Sequence, residues 1–123
     1  MTITVYGIKN CNTMKKAFDF LGEHKISYEF FDYKKSVLSQ ADFERFVELF
    51  GDKVINKQGT TYRKFDDETK AMLASDDLSV VYQIVKSNQS VLKRPIITGE
   101  HHNGAVALIG FDESLYQETL TLK

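Results

Sequence analysis

The stretch Ile3-Thr4-Val5-Tyr6-Gly7-Ile8-Lys9-Asn10-Cys11-Asn12-Thr13-Met14-Lys15-Lys16 decides the fold. Residues 2–6 alternate and are rich in β-branched types, the pattern of a strand with one buried face. Beyond Cys11, Met14, Ala17, Phe18 and Leu21 recur at the i, i+3, i+4, i+7 spacing of an amphipathic helix. That helix is expected from Thr13 to about His24, with Thr13 or Asn12 as its N-cap. Cys11, the one cysteine in 123 residues, therefore lies in a loop that opens onto a helix N-terminus. Backbone N–H groups there lack intrahelical partners and carry positive partial charge. Such surroundings stabilise a thiolate, the reactive form of cysteine. Lys9, Lys15 and Lys16 add positive charge nearby. The competing reading is a small buried hydrophobe, because free cysteine is among the most buried residue types.

Working outward, Ser27-Tyr28-Glu29-Phe30-Phe31-Asp32 reads as a second strand. Strand, helix and strand in about thirty residues make a βαβ unit with parallel strands. Ser39 caps a second helix with Phe43, Phe46, Val47 and Phe50 facing inward, and Gly51 stops it. Residues 52–65 read as loop. Asp66 caps a third helix through Ala74, and Ser79 a fourth with Val80, Val81, Ile84 and Val85 inward. Two β-type runs follow, Pro95–Thr98 and Ala105–Ile109, joined across Asn103-Gly104, a hairpin signal that makes them antiparallel neighbours. Asp112 caps a final helix whose apolar residues are Leu115, Tyr116 and Leu120.

The order β-α-β, helices, β-β-α is similar to that of a thioredoxin-like domain with helices inserted in its middle. The expected fold is α/β, with a four-stranded mixed sheet and helices on both faces. It forms a single domain over residues 1–123, with a helical insertion at about 36–90. A chain of this length buries enough surface to need no disulfide or metal.

Composition excludes several function classes. The formal net charge of −1 gives no global attraction to nucleic acid or to an anionic membrane. No apolar run approaches the ~20 residues of a membrane span. The N-terminus has neither the basic nor the apolar region of a secretion signal. A cytoplasmic location is expected, and a single cysteine agrees with a reducing compartment. One cysteine excludes an internal disulfide and a multi-cysteine zinc site. His101 and His102 have no carboxylate or cysteine at ligand spacing, so no metal is expected. Phosphate-binding glycine loops and Ser/His/Asp signatures are absent.

Pro95 is the single proline and opens an apolar strand. A trans strand start is the ordinary expectation, since X–Pro bonds are cis in only about 5% of cases. In thioredoxin-like domains, however, a cis-proline opens the strand beside the active-site cysteine. Arg94 precedes it, either as a solvated flank or as an anion clamp near Cys11. Arginine suits the second role because its planar fork binds carboxylates and oxyanions bidentately and stays charged. Lys57 and Arg63 read as exposed charges or as further anion contacts.

Four blocks together resemble the arsenate-reductase-like (ArsC) family. They are Tyr6–Cys11, Asn56–Arg63, Leu92-Lys93-Arg94-Pro95 and Ile109-Gly110-Phe111. They look most like its YffB branch, close to the Spx regulators. The resemblance implies a thioredoxin-like fold with an α-helical insertion, a catalytic cysteine at Cys11 and an anion-binding arginine at Arg94. It implies a thiol reductase in which Cys11 attacks an oxidised substrate and glutathione, the co-substrate, resolves the adduct. Glutaredoxin is an optional partner, and no prosthetic group is implied. Pro95 would shape the substrate-binding edge. The backbone N–H groups of Asn12 and Thr13 would support the thiolate, and Lys9, Lys57 and Arg63 would be second-tier anion contacts. Met14 stands where a C-x-x-C pair would have its second cysteine, so turnover requires an external thiol. Of the three arginines that surround the cysteine in arsenate reductases of this kind, only Arg94 maps cleanly. Arsenate reduction and a regulator that binds RNA polymerase are the alternatives.

Overall fold

The structure is a computed structural model and describes residues 2–102 and 104–121. Asn103 of the expected hairpin signal lies outside the described residues. The chain divides into two compact units, one formed by Met1–Asp32 with Arg94–Lys123 and the other by Tyr33–Lys93.

The first unit is built on a four-stranded sheet in the order β2-β1-β3-β4. Its strands are β1 (Ile3–Gly7), β2 (Glu29–Asp32), β3 (Ile96–His101) and β4 (Gly104–Ile109). β1 runs parallel to β2 and antiparallel to β3, and β3 pairs antiparallel with β4. This is the mixed thioredoxin-like sheet expected from the β-α-β and β-β-α halves. Alternation decides which side is buried. Ile3 and Val5 of β1, Ile97 of β3, and Val106 and Leu108 of β4 share one core.

Helix α1 (Asn12–Glu23) enters that core through Met14, Ala17, Phe20 and Leu21. The last helix of the chain (Glu113–Leu120) enters it through Tyr116 and Leu120. Within this unit the two helices share one face of the sheet rather than dividing between two. The reason is that Ile3, Val5, Ile97, Val106 and Leu108 point to that side and meet both helices in one core. Asp112 caps the last helix by accepting from the Leu115 N–H at 3.1 Å. The buried Tyr116 hydroxyl donates to the Gly110 carbonyl, locking the turn between β4 and that helix. Leu115 faces outward.

The second unit is helical. Helix α2 (Gln40–Phe50) starts at Ser39, whose Oγ accepts from the Asp42 N–H at 3.1 Å, and stops at Gly51 with φ +61°. Residues 52–65 are not simply loop. A 3₁₀ turn spans Gly51–Val54, and a single helical turn, α3, spans Thr60–Arg63. Val54 is buried, which anchors the first turn, while α3 buries nothing, so its sequence shows no periodicity. Helix α4 (Asp67–Leu73) is capped by Asp66, as its sequence indicates. Helix α5 (Leu78–Lys86) is capped by Asp77 rather than Ser79. Asp77 accepts from both the N–H and the Oγ of Ser79, at 3.0 and 2.6 Å. The final helix is thus α6. In α5, Val81, Tyr82 and Val85 are buried, whereas Val80 and Ile84 are only partly so.

Gln89 is the buried polar residue of this unit. Its side chain accepts from the Leu38 N–H at 2.7 Å and donates to the carbonyls of Tyr33 (2.8 Å) and Ser36 (2.7 Å). One amide therefore fixes the segment that leads into α2. Tyr82 adds a hydrogen bond from its hydroxyl to the Leu38 carbonyl at 2.6 Å.

Candidate functional site

The site grows from the pairing of β1 with β3. Tyr6 lies opposite Ile96, so Gly7 at the end of β1 and Pro95 just before β3 fall at the same end of the sheet. The chain leaves β1 through Ile8, Lys9 and Asn10 and turns at Cys11, whose N–H donates to the Lys9 carbonyl at 3.1 Å. Cys11 itself is the N-cap of α1. Its backbone is extended (φ −147°, ψ 134°), and its carbonyl accepts the first helical bond from the Lys15 N–H at 2.9 Å. The expected cap at Asn12 or Thr13 is corrected here: both residues are already helical. Cap preference amounts to about 1 kcal/mol, less than the burial of Met14, Ala17 and Leu21, which fixes where the helix begins.

Cys11 is partly buried and packs against the edge of the sheet core. Burial pushes its thiol up, but the N–H groups of Met14 and Thr13 and the charge and hydrogen bonding of Arg94 outweigh it, and the thiol lies below its ordinary value. Negative charge on the sulfur is thus favoured by the first-turn N–H groups of Met14 and Thr13, at the positive end of α1.

Arg94 is joined to Pro95 by a cis peptide bond. Pro95 is buried, and its carbonyl accepts from the Gly110 N–H at 2.8 Å, which ties the start of β3 to the end of β4. Gly110 has φ +72°, a conformation that favours glycine. Thr13 is partly buried and its N–H, like that of Met14, faces the sulfur, while Asn12 is exposed in the same first turn. Lys9 is exposed on the loop before it. The structure thus brings together Cys11, Asn12, Thr13, Arg94 and Pro95, with Lys9 two residues from the cysteine.

Lys57 and Arg63 belong to the helical unit, and both are exposed. The block Asn56–Arg63 forms a turn in which Asn56 accepts from the N–H groups of Gln58 (3.3 Å) and Gly59 (3.2 Å). Lys57 lines a cavity of about 460 Å³ in that unit, with Phe43, Val47, Ile55 and Leu73 among its walls. The rings of His101 and His102 lie 4.5 Å apart. Among the described residues no group of three or more His, Cys, Asp or Glu is placed to hold a metal ion. Among the described residues no helix is long and apolar enough to cross a membrane.

Gly7 and Met14 are the site residues whose part sequence patterning does not reveal. A Cβ on Gly7 would collide with the Met14 thioether and would stand 3.4 Å from the Arg94 Cβ. A glycine before a loop reads as turn punctuation, and a methionine at a helical apolar position reads as core. Only the fold shows that the Met14 thioether packs over the bare face of Gly7, with the Arg94 Cβ beside it.

A sequence profile described as the ArsC family matches residues 6–119. The chain belongs to the ArsC family. Its relatives include an uncharacterized protein of Haemophilus influenzae, 39% identical over 116 residues, which cover 94% of this chain and 96% of that one. The global transcriptional regulator Spx of Listeria innocua is 28% identical over 101 residues, 80% of this chain and 74% of Spx. Among solved structures, a YffB protein is 35% identical with a TM-score of 0.82, covering 97% of this chain and 99% of its own. Recognition of the family and of its YffB branch from four short blocks of sequence therefore holds over nearly the whole chain.

Proposed function

We propose that this ArsC-family chain is a glutathione-dependent thiol–disulfide reductase that works through Cys11 alone. The observation that supports it is the convergence of the α1 N-terminus and Arg94 on one partly buried sulfur. A sulfur so placed is ionised at lower pH than a free thiol and remains within reach of solvent, which is what thiol–disulfide exchange needs.

The chemistry closes in two displacements. The Cys11 thiolate attacks the glutathione sulfur of a mixed disulfide between glutathione and a second thiol. The Cys11–glutathione disulfide forms, the original S–S bond breaks, and its electron pair leaves with the second thiol as thiolate, which takes a proton from water. A second glutathione thiolate then attacks the glutathione sulfur of the adduct. Oxidised glutathione departs, and the electron pair returns to Cys11 as thiolate. Met14 occupies the position where an internal resolving thiol would stand, so the second glutathione is indispensable.

In this reading Arg94 holds a carboxylate of glutathione in its planar fork and favours the Cys11 thiolate. The buried Pro95 shapes the edge against which the peptide-like co-substrate lies. The N–H groups of Asn12 and Thr13 support negative charge on sulfur, and Lys9 adds to the local attraction for anions. The steps need nothing from Lys57 or Arg63.

Turnover of the mixed disulfide of glutathione and 2-mercaptoethanol, with glutathione in excess and oxidised glutathione measured, tests this. Release should depend on the protein and vanish in Cys11→Ser. An alkylation midpoint for Cys11 at the free-cysteine value of about 8.5, together with no turnover, would reject it. The similarity to Spx favours a second reading, a module that binds RNA polymerase without catalysis. Retention of RNA polymerase by the immobilised chain, unchanged in Cys11→Ser, would select that reading.

A further inference from the structure

We propose that Gly7 and Met14 are positioning residues for Cys11, the bare face of Gly7 receiving the Met14 thioether and the root of Arg94 so that Arg94 stays against the Cys11 sulfur. The inference rests on the reductase reading of the same site and deepens it. Three observations converge. A Cβ built on Gly7 meets the Met14 sulfur and methyl too closely to coexist with them, and reaches ordinary contact with the Arg94 Cβ at 3.4 Å. Met14 is fully buried, so its tip cannot swing into solvent to make room. Two of the three residues that favour the Cys11 thiolate, Met14 through its N–H and Arg94 through its guanidinium, are the two whose side chains border the space a Cβ on Gly7 would take.

The physical logic is steric. Close-packed interiors transmit a methyl-sized change to their neighbours. A side chain at position 7 must displace the Met14 tip, and that moves either the first turn of α1 or the root of Arg94. Either movement lengthens the approach of positive charge to the sulfur. Gly7 has an ordinary backbone conformation. Alanine is therefore resisted there by crowding and not by backbone strain.

The test is the pH dependence of iodoacetamide alkylation of Cys11 in the full chain. Wild type, Gly7→Ala, Arg94→Ala, Met14→Leu, Met14→Ala and the double variant Gly7→Ala/Met14→Val are compared, with circular dichroism monitoring the fold. Gly7→Ala should raise the midpoint, lowering the thiolate fraction at neutral pH on the order of threefold, about half a pK unit. The double variant exchanges bulk between the two positions and should return the midpoint toward wild type, which a merely destabilising change would not do. A wild-type midpoint at the free-cysteine value ends the reductase reading and this proposal with it. A low wild-type midpoint that Arg94→Ala raises and Gly7→Ala leaves unmoved overturns the positioning role alone. If Gly7→Ala does not fold, the methionine variants decide. Met14→Leu, which conserves volume, should keep the low midpoint while Met14→Ala raises it, and equal midpoints overturn the proposal.

Discussion

Cys11 does three things with one residue: it ends the loop after β1, caps α1 with its carbonyl, and presents its sulfur to Arg94. The side chain contributes to none of the backbone bonds that hold the turn. Cys11→Ser is therefore expected to change stability by less than about 1 kcal/mol, as for sites outside the usual destabilising mechanisms. Urea unfolding of both proteins measures it, and a loss of several kcal/mol would return Cys11 to the role of a core hydrophobe. A serine hydroxyl is also a better N-cap than a thiol, so in acid, where the thiol carries no charge in either state, the sign of any small change should favour the variant. Tyr116 is the contrasting case. Its hydroxyl is buried and bonded to the Gly110 carbonyl, so Tyr116→Phe leaves that acceptor unpaired and should cost about 1–2 kcal/mol, read from the same unfolding curves.

At the scale of elements, β3 crosses β1 at its most confined point. Gly99 lies opposite Ile3 with φ +129°, and a Cβ there would run into the Thr2 carbonyl and stand 2.8 Å from the Ile3 Cα. These are backbone atoms and cannot step aside as a side-chain tip can. Gly99→Ala combines a disfavoured backbone conformation with a backbone clash and should destabilise by more than about 2 kcal/mol. In the helical unit Gln89→Leu strands three backbone groups at Tyr33, Ser36 and Leu38. A loss of about 2–4 kcal/mol is expected, with faster hydrogen exchange at the Leu38 amide as the local signature.

At the scale of the whole molecule, pH separates three contributions. The Cys11 thiol is held below its ordinary value by the net effect of burial, which raises it, and of Met14, Thr13 and Arg94, which lower it more. The unfolded chain then binds more protons between the folded and unfolded values, so stability rises with pH up to about 8.5. Burial pushes the Tyr116 hydroxyl far up, so the folded state keeps a proton that the unfolded chain loses. Stability therefore falls as pH passes about 10. The carboxyls of Asp66 and Asp77 are held down by hydrogen bonds from Thr69 and Ser79 respectively, so their contribution is present above about 3.9 and lost as pH falls below it. Denaturation midpoints should thus fall in acid, climb by a further step below about 8.5 and fall again above about 10. Cys11→Ser should remove the step that lies below about 8.5, and Tyr116→Phe should flatten the alkaline limb.

Much of this was written into local sequence. Period-2 alternation in β1, period-3.6 spacing in α1 and α2, and the caps Ser39, Asp66 and Asp112 each follow from contacts within a few residues, so the chain alone determined the order of its strands and longer helices, while the short turns at Gly51–Val54 and Thr60–Arg63 escaped it. The four short blocks that carry the ArsC resemblance are equally local, and they marked Cys11, Arg94 and Pro95 before any coordinates. Tertiary structure decided what depends on distant neighbours. It chose Cys11 over Asn12 and Thr13 as the cap and placed α1 and α6 on one face. It put Gln89 between three backbone groups and set Gly7 beneath Met14 and Arg94. The physical reason is that propensity and capping act over one turn of chain, whereas close packing is settled between segments that only the sheet brings together.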